Sequence, residues 1–153
     1  MNDLDLLLAE RAITRVLNRY AQGVDRRDFE QIRDCYWPDA HDSHGSFQGD
    51  RDAYVAWLVR VMPNVATSTH QYTNVLIDAD PAAGTAESEA YCLNVNVFPD
   101  GKQLHHGLRY RDTWQRRDGQ WRILRRTVVT DWSKSKLISN PSGAAALING
   151  TAW

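Results

Sequence analysis

Cysteine is nearly absent from this chain. Cys35 and Cys92 are the only two in 153 residues, and neither belongs to a CxxC pair. They read as small buried apolar side chains in a reducing, cytoplasmic setting. No apolar run approaches the roughly 18 residues of a membrane span. The opening MNDLDLLLAER carries acids where a signal peptide needs positive charge. No membrane attachment is therefore expected. Net charge is −1, so no basic excess points to a nucleic-acid partner. The arginine-rich segment 109–126 is interrupted by Asp112 and Asp118 and reads as a solvated strand surface. There is no GxGxxG, P-loop, GxSxG or HExxH pattern.

What remains is a globular composition, 42% hydrophobic and 24% charged. That suits one domain able to bury its own core. Residues 3–22 place Leu4, Leu7, Leu8, Ala12, Ile13, Val16, Leu17 and Tyr20 on one helical stripe, with Gly23 as the expected stop. Asp28 caps a short helix over 29–35, and Gly49-Asp50 starts a third over 51–62. Between them, residues 41–48 are expected as a short strand or loop. The period then changes to two. Residues 68–78, 85–98, 104–117 and 120–132 read as strands, with Asp100-Gly101 and Asp118-Gly119 as hairpin turns. Helices first and an antiparallel meander after is the segregated α+β pattern. The expected domain is 1–132. Residues 133–153 form an extension, with a turn at Asn140-Pro141-Ser142-Gly143 and an apolar stretch at 144–148 suited to a lid or subunit contact.

Three polar residues stand in awkward places. Tyr20 lies on the buried stripe, so its hydroxyl must find a partner or a cavity. Asp25 falls just past the expected helix end. His70 opens a strand, STHQYTN, whose two faces are both too polar for simple core packing. A polar inner face, holding His70 and Tyr72, suits a cavity. Histidine titrates near neutrality and serves as general acid or base when a carboxylate orients it. Asp25 could be that carboxylate, although His70 could equally be a satisfied structural histidine. His106 shares a strand face with Leu104, Leu108 and Tyr110 and is expected at the cavity rim. His41, His44 and His105 or His106 could form a three-ligand metal set, but such spacing is common by chance. Solvent-exposed histidines are the expectation there, and no metal site is assigned. The tryptophans, including Trp114, Trp121 and Trp132, read as core.

RYAQGVDRRDFEQI, YWPDA, GDRDAY, STHQYTNVLID and the closing hairpin YRDTWQRRDGQWRI together resemble the SnoaL-like branch of the nuclear transport factor 2-like superfamily, over about residues 5–132. The resemblance implies a cone of three helices on a strongly curved sheet, a site at its mouth, no cofactor, and a homo-oligomer, dimer or trimer. It is similar in particular to scytalone dehydratase, bile-acid dehydratase and hexachlorocyclohexane dehydrochlorinase. Asp25 and His70 fall on the catalytic pair of those lyases. Tyr20 falls where one of them has tyrosine, Arg122 on an active-site arginine, and Asn94 in place of an acidic residue. The implied activity is a cofactor-independent, dehydratase-like lyase acting on a cyclic hydrophobic molecule. The superfamily also holds isomerases, polyketide cyclases, small-ligand carriers and structural subunits like the β subunit of ring-hydroxylating dioxygenases.

Overall fold

The computed structural model describes residues 3–137. The chain runs α1 (Asp3–Arg26), α2 (Phe29–Asp34), β1 (Tyr36–His44), β2 (Phe47–Asp50), α3 (Arg51–Val61), a 3₁₀ turn (Met62–Asn64), β3 (Thr67–Asp80), β4 (Thr85–Val97), β5 (Lys102–Arg117) and β6 (Gln120–Leu137). One sheet has the order β2-β1-β6-β5-β4-β3. Its pairings are antiparallel except for β1 with β6, which is parallel. The α+β class, the three helices and the meander are as expected. The segment expected as a strand or loop is a hairpin, β1–β2.

Register shifts interrupt the ladders at Thr73/Leu76, Gly107/Leu108, Thr113/Trp114 and Tyr36/His41. Extra residues of this kind bend a strand and raise its twist. The sheet therefore curves, and the helices pack against its inner side. One shift has a consequence for the interior. The Asp118-Gly119 turn, both residues at positive φ, pairs Trp114 with Ile123. Beyond it β6 carries one extra residue, so Asp112 pairs with Arg126. A slip by one exchanges the two faces of a strand. Buried positions on β6 accordingly change from Trp121 and Ile123 to Arg126.

Several expectations are corrected. The first helix passes through Gly23 and ends at Arg26. The stop is Arg27 at φ 58, where the Asp28 N–H donates to the Gly23 carbonyl and the Arg27 N–H to the Val24 carbonyl. That is a left-handed C-terminal cap built without glycine. Leu4, Leu7 and Leu8 are exposed, and the buried stripe begins at Ala9. Strand β6 continues to Leu137, so 133–137 belong to the sheet rather than to an extension. The turn and apolar stretch expected over 140–148 lie outside the described residues. Arg126 and Asp112 are buried, not part of a solvated surface. Trp132 is half exposed and lies over Gly107, while Trp114 and Trp121 are core. Cys35 and Cys92 are free and buried, and burial pushes their thiols up to about 11 and about 12.

Gly23 has a packing reason instead of a capping one. A Cβ there would stand 2.9 Å from Ile32 Cγ1 and 3.3 Å from the Asp28 carbonyl oxygen. Replacing a helical glycine by alanine gains about 1 kcal/mol, whereas overpacking costs about 1–3 kcal/mol. Gly23→Ala should therefore lower stability by up to about 2 kcal/mol, read from the urea midpoint. An unchanged or raised midpoint would show that α1 and α2 can separate to admit the methyl.

Candidate active site

The α1 cap sets the position of Asp25. Its carboxylate sits at the negative end of a helix, where the macrodipole disfavours it. Two hydrogen bonds from one residue offset this. The His70 backbone N–H donates to Oδ2 at 3.0 Å, and His70 Nδ1 lies 2.7 Å from Oδ1. Next to it, the Arg27 guanidinium donates to the Val65 and Ala66 carbonyls, just ahead of β3. The end of α1 and the start of β3 are thus clamped at neighbouring points. The His70 side chain is 8% exposed and that of Asp25 23%.

The other ring nitrogen is also accounted for. Asn94 Nδ2 lies 3.1 Å from His70 Nε2 and 3.3 Å from the Thr69 carbonyl oxygen. Asn96 Nδ2 donates to Asn94 Oδ1 at 2.9 Å. The Asn94 amide is therefore oriented with its donors toward His70, and Nε2 must accept. Nδ1 then carries the proton and donates it to Asp25. The two ends of the ring impose the same tautomer. In this arrangement one amide faces Nε2 and one carboxylate faces Nδ1.

These residues open on a cavity of about 550 Å³. Val24, Leu58, Met62, Phe98, Leu104 and Leu108 make much of its wall. His70, Asn94, His106, His44, Tyr20 and Tyr54 are among its polar members. A mostly apolar concavity of this size with a few convergent polar groups is the form of a small-molecule site.

The structure brings Asp25, His70, Asn94 and His106 together and separates others from them. His106 lines the cavity. Burial, with His70 and His105 nearby, pushes its pKa down, and its Nδ1 has no hydrogen-bond partner among the described residues. Tyr20 also lines the cavity, but its hydroxyl is bonded to that of Tyr54 at 2.5 Å and not aimed at His70's partners. Burial raises the Tyr20 phenol well above its ordinary value. Tyr72 does not line the cavity. Its ring packs edge-on against Tyr110 at 5.1 Å, and its hydroxyl is buried without a partner. Arg122 lies between inward-facing Trp121 and Ile123, so it faces away. It stands over Trp37 at 5.0 Å and donates to Gln120.

The interior arginine is Arg126. Its Nε and Nη2 donate to the two Asp112 oxygens at 2.7 and 2.6 Å, and Nη1 to the Tyr36 hydroxyl at 3.3 Å. The rings of Tyr20, Tyr110 and Tyr36 surround it at 4.2, 4.7 and 5.6 Å. Burial works against its charge, but Asp112 and the phenols hold its pKa well above the ordinary value. Burial raises the Asp112 carboxyl, and Arg126 offsets only part of that rise. The second unforeseen residue is His44, which lines the cavity with its side chain 19% exposed, rather than being a surface histidine. Among the described residues, no group of three or more His, Cys, Asp or Glu stands close enough to hold a metal ion.

A model of the SnoaL-like domain matches residues 5–127. An uncharacterized protein of Mycobacterium tuberculosis is 31% identical over 127 residues, covering 80% of this chain and 85% of its own. Hexachlorocyclohexane dehydrochlorinase 1 of Sphingobium indicum is 26% identical over 129 residues, covering 80% and 82%. Among solved structures, a Novosphingobium aromaticivorans protein assigned provisionally to the scytalone dehydratases superposes with a TM-score of 0.81 at 23% identity, over 90% of this chain and 93% of that one. That likeness shows a shared fold. Among the described residues, no helix is long and apolar enough to cross a membrane.

Removing one partner of a buried ion pair costs about 3–5 kcal/mol, because the other charge stays behind. Arg126→Met should lower the unfolding free energy by about that amount. Arg126→Met with Asp112→Leu should recover most of it. Denaturant unfolding of the two variants checks this, and equal losses would show that the pair does not act as a unit.

Proposed function

This chain belongs to the SnoaL-like domain family, within the nuclear transport factor 2-like superfamily, and we propose that it is a cofactor-independent lyase that removes a proton from a cyclic, hydrophobic small molecule. His70 is the base. Its Nε2 takes a proton from a carbon beside an activating group such as a carbonyl. The freed electron pair forms a carbon–carbon double bond as a leaving group departs from the adjacent carbon. Asp25 holds Nδ1–H, fixes the ring and stabilises the imidazolium that forms, as a buried carboxylate does for catalytic histidines.

One observation carries the reading: a carboxylate-bound, tautomer-defined histidine on the wall of an open, largely apolar cavity. A structural subunit would have that space filled by side chains. The Asn94 bond to Nε2 must yield when substrate arrives. A neutral hydrogen bond is worth a net ~1 kcal/mol, small against the ~10²–10⁴-fold that a positioned base supplies. The dehydrochlorinase relative performs an elimination on a halogenated ring, which supports the reaction type and the cyclic substrate. The apolar wall replaces bulk water by fixed groups, so charge forming at His70 is stabilised chiefly by Asp25, with the Ser68 hydroxyl 3.5 Å from Nδ1. His106, kept neutral by burial, and Asn94 offer hydrogen bonds to an oxygen on which charge develops.

A panel of cyclic hydroxy ketones, followed by the ultraviolet absorption of the conjugated enone, supplies the test. His70→Ala should lower kcat by about 10²–10⁴-fold or more while the far-ultraviolet circular dichroism spectrum is retained. A His70→Ala variant with full turnover on a substrate of the native protein would sink the assignment. Asp25→Ala should lose activity too, and also about 1–3 kcal/mol of stability, because the His70 backbone N–H loses its acceptor.

A further inference from the structure

The pocket holds a second carboxylate–histidine pair, and no step of the reaction above uses it. Asp42 on β1 is fully buried. Its Oδ2 accepts from the Tyr36 hydroxyl at 2.7 Å, whereas its Oδ1 has no hydrogen-bond partner among the described residues. A buried carboxylate oxygen without a donor is costly, and native structures leave few of them. His44 Nδ1 stands 3.6 Å from that oxygen. His44 also lies 3.3 Å from the Tyr54 hydroxyl and is stacked on the Tyr54 ring. With Nδ1 turned to Asp42 and Tyr54, Nε2 is the nitrogen left for the cavity that His44 lines.

We propose that His44, backed by Asp42, is the general acid of this pocket, and that it serves an oxygen leaving group; this rests on the reading of His70 as base. Charge supports it. The groups facing His44 are Asp42 on β1, Tyr54 on α3, Tyr110 and Asp112 on β5 and, through Tyr54, Tyr20 on α1, with Arg126 on β6 bonded to Asp112. Burial raises the Tyr20, Tyr54 and Tyr110 phenols, so they stay neutral. Arg126 is committed to Asp112 through two hydrogen bonds. Two carboxylates and one guanidinium leave one negative charge, and a protonated His44 cancels it. His44 comes from β1 and His70 from β3, strands separated in the sheet by β6, β5 and β4. The acid and the base therefore reach a bound molecule from opposite flanks, directly or through one water.

The chemistry of leaving groups then selects a substrate class. Chloride departs as a stable anion and needs no proton. Hydroxide is a poor leaving group and departs readily only as water. In the proposed step His70 Nε2 takes the carbon-bound proton, the C–O bond breaks, and the proton on His44 Nε2 goes to the departing oxygen. The products are an alkene and water, with His70 protonated and His44 neutral. A built acid in the pocket favours an alcohol over a halide, unlike the dehydrochlorinase relative.

The test compares two probes with one product, β-hydroxycyclohexanone and β-chlorocyclohexanone, both giving cyclohexenone. Wild-type protein should show a pH profile of kcat/KM on the hydroxy ketone with a falling limb at high pH, as a required general acid implies. On the chloro ketone the falling limb should be missing. His44→Phe, which keeps an aromatic ring against Tyr54, should lower the hydroxy-to-chloro ratio of kcat/KM by about 10²-fold or more and abolish the falling limb. Asp42→Asn should move the ratio in the same direction without removing a ring from the cavity wall. An equal loss on both probes, or on neither, overturns the proposal. So does wild-type turnover of the chloro ketone alone, which leaves His70 standing as base. Turnover of both probes by His70→Ala overturns the base assignment instead.

Discussion

A guanidinium without access to water sits at the centre of this protein. Taking such a group out of solvent costs several kcal/mol, and the surrounding interior is arranged to offset that cost. Asp112, its direct cross-strand partner, takes two of its N–H groups, and three phenol rings supply their faces. The one remaining contact goes to the Tyr36 hydroxyl. Tyr36 is thereby free to donate onward to Asp42, which stands beside His44. The polar order of one flank of the cavity starts from Arg126 and would lose its anchor without it.

The other flank is built differently. His70 owes nothing to the central pair. It is positioned by the end of a helix, through a carboxylate that binds its backbone and its ring at once. Because Asp25 fastens α1 to β3 and orients the imidazole, structure and proposed chemistry share the same bonds. The Asn94–Asn96 amides complete the arrangement from β4. His70 and His44 thus reach one apolar space from separate strands, the first bound twice by Asp25 and the second standing 3.6 Å from buried Asp42.

The legibility of these features in the sequence varied with the range of the interactions behind them. Local chemistry was readable. Asp28 and Asp50 cap their helices through side chains that accept from Gln31 and Ala53, and Asp118-Gly119 turns the hairpin. His70 was readable because its strand is too polar for plain packing. Arg122 was not placed correctly, because its neighbours Trp121 and Ile123 decide its direction and one irregular residue later in β6 decides that of Arg126. His44 was hidden for a related reason. A polar strand at a hairpin, HDSH, gives no sign of burial until the sheet closes over it.

The sequence by itself determined the elements, their order, the hairpin turns and the polar strand that carries His70, since each follows from propensity, periodicity or a cap within a few residues. Only the tertiary structure decided which arginine lies inside, that Asp25 meets His70, and that His44 shares their cavity. Strand period is two, so a single bulge exchanges inside for outside. Contacts between residues 45 apart in sequence, such as Asp25 and His70, exist only once helix and sheet have packed.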